Sequence, residues 1–148
     1  MNSHNDTALD RLRDMAKEEL DQAALRLGEV RQSHLSAKKQ LEQLQQYEKE
    51  YRQKLQTGMT KGMASASWYN YQQFIITLET AIEQHRKLLT QWGQRLQQAI
   101  QQWQAKQQRL NALSTLQTRH ERIQRSYENR QEQKQMDEFA QQATVRKT

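Results

Sequence analysis

Thr57-Gly58-Met59-Thr60-Lys61-Gly62-Met63-Ala64-Ser65-Ala66-Ser67 is the one stretch that interrupts an otherwise unbroken helical pattern. It holds two of the four Gly in a chain with no Pro. Gly58 suits a helix C-terminus, and Ser65 or Ser67 can cap the helix that follows. Upstream, apolar residues fall on a heptad seam: Leu20, Ala23, Leu27, Val30, His34, Ala37, Leu41, Leu44, Glu48, Tyr51, Leu55. Leu9, Leu12 and Ala16 join it through one longer step, a small stutter. Downstream the seam reads Ile75, Leu78, Ile82, His85, Leu89, Trp92, Leu96, Ala99, Trp103, Lys106, Leu110, Leu113. Steps of three and four alternate in both arms, the signature of a coiled coil. The spacing predicts helices over about 7–57 and 68–144 with a loop at 58–67. Gly28 and Gly93 stand alone in periodic stretches, where each costs about 1 kcal/mol without ending a helix.

Two such arms fold back as an αα-hairpin. The fold class is therefore all-α: two long helices in an antiparallel coiled-coil hairpin over 1–148, the C-terminal helix longer. With the loop centred near 62, facing residues have numbers adding to about 125. Trp92 then meets Ser33 and His34, and Trp103 meets Gln22 and Ala23, large opposite small. Roughly the last 25 residues have no partner in the chain. At ~1.5 Å per residue the hairpin spans roughly 80 Å. After Leu116 the pattern thins to Ile123, Tyr127, Met136, Phe139 and Ala140, consistent with a helix running past its partner.

Composition agrees. Leu, Ile, Val and Phe make up 25 of 148 residues, too few for an ordinary globular core, whereas Gln alone supplies 27. No apolar run spans a bilayer, the segment Met1–Asp10 is polar and unlike a secretory leader, and there is no Cys for disulfides or thiolate metal sites. No phosphate-binding glycine loop occurs, and His120-Glu121 is followed by Arg122, not by a metalloprotease pattern. His4, His34, His85 and His120 lack ligand spacing. A two-helix hairpin also encloses no site, so no enzyme, cofactor or metal is expected. His34, His85, Glu48 and Lys106 are polar seam positions that set alignment, with the histidines satisfied by Gln or water; His85 has the alternative of a partner contact.

Charge is uneven. Residues 1–57 balance ten cations against ten anions, so the net +6 lies entirely in 58–148. Between Glu83 and Glu121 only cations occur: Arg86, Lys87, Arg95, Lys106, Arg109 and Arg119. A basic coiled coil that binds nucleic acid is one reading. Six cations over 37 residues make a sparse phosphate footprint, and Asp6, Asp10, Asp14, Glu18, Glu19, Asp21 and Glu29 lie at matching depth, so a solvated face opposite those acids is favoured.

Near the loop, two rows run side by side in the same register. Gln40, Leu44, Tyr47 and Tyr51 on the first arm face His85, Ala81, Leu78 and Phe74 on the second. Tyr47, Phe74 and Ala81 flank the seam and cannot all be buried between two helices, and Trp68, Tyr69, Tyr71 and Ile76 add apolar mass nearby. The patch is either a thickened core under the loop or an exposed surface that docks a partner.

The segment Trp68-Tyr-Asn-Tyr-Gln-Gln-Phe-Ile-Ile-Thr-Leu-Glu-Thr-Ala-Ile-Glu-Gln-His85 resembles the FliJ family, soluble components of the flagellar type III export apparatus. So do Tyr47-Glu-Lys-Glu-Tyr51-Arg and the tail Glu128-Asn-Arg-Gln-Glu-Gln-Lys-Gln-Met-Asp-Glu-Phe-Ala-Gln-Gln-Ala143. The likeness covers essentially the whole chain. It implies a hairpin similar to the gamma stalk of rotary ATP synthases, with its paired termini in the pore of the hexameric export ATPase, FliI. Leu9, Leu12, Met136 and Phe139 are the candidate pore contacts. It further implies docking on the membrane export gate, FlhA, through Gln40, Leu44, Tyr47, Tyr51, Phe74, Leu78, Ala81 and His85. Recycling of the export chaperones FlgN and FliT follows from the same resemblance. So does a cytoplasmic place at the inner face of the membrane at the flagellar base, without direct membrane insertion. A general secretion chaperone is the remaining alternative.

Overall fold

The computed structural model describes residues 2–147, and the side chains of residues 7–146. It consists of two helices, α1 (Asn2–Lys61) and α2 (Ser65–Lys147), of 60 and 83 residues. The longer second helix and the all-α class agree with the heptad reading.

The turn is tighter than a ten-residue loop: only Gly62, Met63 and Ala64 separate the helices. Gly62 adopts φ 85° and ends α1, and the Met63 N–H donates to the Gly58 carbonyl at 2.9 Å. This is a Schellman ending, in which a left-handed residue folds the chain back onto the last orphan carbonyls. The C-terminal glycine is therefore Gly62 rather than Gly58. Gly58 lies inside α1, where a Cβ would fall 1.9 Å from Met63 Cε, so its bare backbone makes room for the returning methionine. The Trp68 N–H donates to the Ala64 carbonyl at 3.0 Å, placing Ala64, and neither Ser65 nor Ser67, at the N-cap.

The chain divides into two compact units. The first, Gln22–Gln104, contains the turn. Its core is the seam: Leu27, Val30, Ala37 and Leu41 of α1, and Ile75, Leu78, Ile82 and Ala99 of α2, are all buried. Trp92, Leu96, Ile100 and Trp103 pack against the Leu27–Val30–Ala99 cluster, large residues over small ones. A Cβ on Gly93 would lie 3.9 Å from His34 Nε2, which places these two at one level, as the register requires.

The second unit joins the beginning of α1, through Asp21, to α2 from Ala105 onward. Ala16 is buried there, while Leu12 is 40% exposed. Polar contacts hold the helices together: Lys106 Nζ reaches Glu19 Oε2 at 3.0 Å, Arg109 reaches the same oxygen at 3.8 Å, and Gln117 bridges Arg13 and Asp10. Glu19 and Lys106 match the expected register. Lys106 thus has a cross-helix partner, and its ammonium, by hydrogen bond and by charge, draws the Glu19 carboxyl below its ordinary pKa. Residues 125–146 of α2 are exposed throughout. The side chain of Asp6, one of the acids expected opposite the basic stretch, lies outside the described residues.

A candidate docking surface beside the turn

About ten residues from the turn on each helix, the register sets aromatic rings against each other. The Tyr51 and Phe74 rings are tilted at 45° with centroids 4.4 Å apart, and Tyr71 adds a second tilted contact to Tyr51 at 5.9 Å. Such tilted pairs satisfy the ring quadrupoles as well as burying area. Lys54 Nζ lies 5.1 Å from the Tyr51 centroid, and Gln43 donates to the Tyr47 hydroxyl at 3.0 Å. Arg52 bridges the helices, bonded to Glu48 at 3.0 Å and also to Glu79, and these two carboxylates raise its pKa.

The eight residues of the two rows divide by burial. Gln40, Tyr47 and Phe74 are exposed, the two aromatics by 42% and 43%. Leu44, Tyr51, Ala81 and His85 are half-buried. Leu78 is 6% exposed and belongs to the core, so its face is closed to a partner. A two-helix seam has room for one residue per step from each strand, which expels Tyr47 and Phe74 to the flanks.

His85 Nδ1 is shut off from solvent and makes no hydrogen bond to another residue of the chain. An unpaired buried nitrogen costs about 1–3 kcal/mol.

The four candidate pore contacts do not form one cluster. Leu9 is half-buried, and Leu12 lies at the level where Asp10 and Arg13 meet Gln117. Met136 and Phe139 are 68% and 74% exposed and lie some 20 residues further along α2, about 30 Å at ~1.5 Å per residue. Seam reasoning also missed Leu25, 70% exposed, and Leu35, 44% exposed. Their signal in the sequence was that they are leucines at non-seam positions. Among the described residues no group of His, Asp or Glu could hold a metal ion, and no helix is long and apolar enough to cross a membrane.

The model of the FliJ family, described as flagellar FliJ protein, matches residues 5–148. The chain is 52% identical over 140 residues to the flagellar FliJ protein of Salmonella typhi, covering 95% of each chain. It is 49% identical over 140 residues to that of Escherichia coli K12, again over 95% of both. These relatives carry a flagellar name and not the name of an enzyme. Helical pairing, register and near-complete coverage at this identity lead to one conclusion: the chain belongs to the flagellar FliJ family.

Proposed function

We propose that this protein is a non-enzymatic stalk of the flagellar protein export apparatus. It binds and stimulates the hexameric export ATPase, docks on the membrane export gate and passes on empty export chaperones, working peripherally at the inner face of the membrane. The observation that carries the reading is the exposed pair Tyr47 and Phe74, the latter braced by the Tyr51 ring. Binding energy at interfaces concentrates in such aromatic anchors. In the second unit, the Lys106 and Arg109 cations are committed to Glu19, which leaves the sparse basic stretch less charge for phosphates and weighs against the nucleic-acid reading.

The test uses Tyr47→Ala together with Phe74→Ala. Both side chains are more than 40% exposed, so folding is spared, which a Leu78 substitution would not ensure. The double variant is expected to lose at least tenfold in affinity for the purified cytoplasmic domain of the export gate, with helical circular dichroism unchanged. Stimulation of the export ATPase should persist, because the ATPase is assigned to the other end. Undiminished gate affinity would remove the site assignment.

A further inference from the structure

From Tyr51 to Leu78 the chain contains no acidic residue, while Arg52, Lys54 and Lys61 are basic. Arg52 is tied to Glu48 and Glu79, so Lys54 and Lys61 are the cations without a carboxylate partner. Lys61 occupies the last turn of α1, and the first turn of α2 has no acid. Within this acid-free end, Met59 is 60% exposed and Tyr69 is 59% exposed. Met59, Met63, Trp68 and Tyr69 line one open concavity with Gly62 and Ser65. Apolar and aromatic side chains therefore gather at the last turn of α1 and the first turn of α2, with Lys61 in that same turn of α1.

We propose that the hairpin turn rests in the headgroup region of an anionic lipid bilayer. Tyr and Trp favour that boundary because one end of each ring system is apolar and the other is polar. Cations add attraction to anionic headgroups. Met59 and Tyr69 both lie within about 8 Å of the turn at ~1.5 Å per residue, and interfacial segments settle about 5–10 Å deep. The Schellman bond between Met63 and Gly58 keeps the turn's backbone paired as it enters a drier medium. Two cations without a carboxylate partner and a small apolar tip give weak, reversible contact, suited to holding a protein at a surface where a second attachment fixes it.

The experiment is vesicle flotation of the full chain at low ionic strength. Vesicles of phosphatidylcholine alone are compared with vesicles containing phosphatidylglycerol. Phosphatidylglycerol should recruit the protein with a shift of tryptophan emission to shorter wavelength, and phosphatidylcholine should not. Lys54→Gln and Lys61→Gln should each weaken binding about fivefold, and added salt should weaken it further. Met59→Ser with Tyr69→Ser should abolish the emission shift, with helicity intact because both side chains are exposed. Lys87→Gln with Arg95→Gln, in the basic stretch away from the turn, should leave binding unchanged. No recruitment by phosphatidylglycerol, equal recruitment by both vesicles, or a loss as large from the Lys87/Arg95 pair would overturn the proposal. So would tip variants that keep vesicle binding and lose binding to the purified gate domain. Tyr47 and Phe74 are untouched in every tip variant, and Lys61→Gln and the Met59/Tyr69 pair also spare Tyr51 and its Lys54 contact, so failure of those variants is separable from failure of the gate assignment.

Discussion

Single residues in this seam trade stability against contact. His85 occupies a heptad core position with Nδ1 buried and unpaired. Replacing it by Leu, the ordinary seam residue, removes that penalty and is expected to stabilise the protein by about 1 kcal/mol, seen as a higher thermal midpoint. If the gate-docking proposal holds, the same variant binds the gate domain more weakly; a gain in both would detach His85 from the docking surface. Glu19 has a depressed pKa because Lys106 hydrogen-bonds and attracts its charged form. A carboxyl with a folded pKa below its unfolded value contributes stability above the unfolded value, and that contribution is lost as pH falls through the folded one. Stability should therefore decline on acidification below about pH 4.3, the ordinary Glu value. Glu19→Gln should flatten that part of the pH profile of chemical denaturation while leaving the neutral-pH effect small, since the half-buried pair remains in contact with solvent.

At the scale of elements, the glycines have different tasks. Gly62 holds φ 85° with open space around its Cβ position, so an Ala there meets no neighbour but must adopt a left-handed backbone. Gly62→Ala is expected to destabilise by about 1–2 kcal/mol. Gly28 is mid-helix with nothing within 4 Å of a built Cβ, so Gly28→Ala should stabilise by about 1 kcal/mol. Opposite signs in urea denaturation check the pair, and equal signs would contradict the assigned helix end. The shape of the turn was only partly legible. Two glycines and two serines marked the break, and composition pointed to Gly58 as the terminator where the structure uses Gly62. The choice depends on which glycine the returning Met63 passes over, a contact between residues on either side of the turn.

At the scale of the molecule, α2 continues where α1 offers no further seam. Residues 125–146 are exposed on all sides, and Ile123, Tyr127, Met136, Phe139 and Val145 lie open. Deleting residues 125–148 should leave the thermal midpoint within a degree or two, because no buried contact is lost. Under the stalk proposal, the truncated chain should fail to stimulate the export ATPase while retaining gate binding. A collapse of the midpoint would mean that the tail packs against the rest in solution.

Residue pattern was enough for the all-α class, the two helices, their register and the longer second arm. Heptad spacing fixes which face of each helix must leave water, and a single break fixes where the chain reverses. All eleven residues of the first seam and all twelve of the second are buried or half-buried, down to the polar His34, Glu48 and Lys106. Tertiary structure alone decided which members of the two aromatic rows remain open. Periodicity sets Tyr47, Phe74 and Ala81 alike beside the seam, yet Ala81 is half-buried and the two aromatics stand open. Burial depends on what the opposite helix places at that level, and here Tyr51 fills the space that Phe74 and Tyr71 lean against.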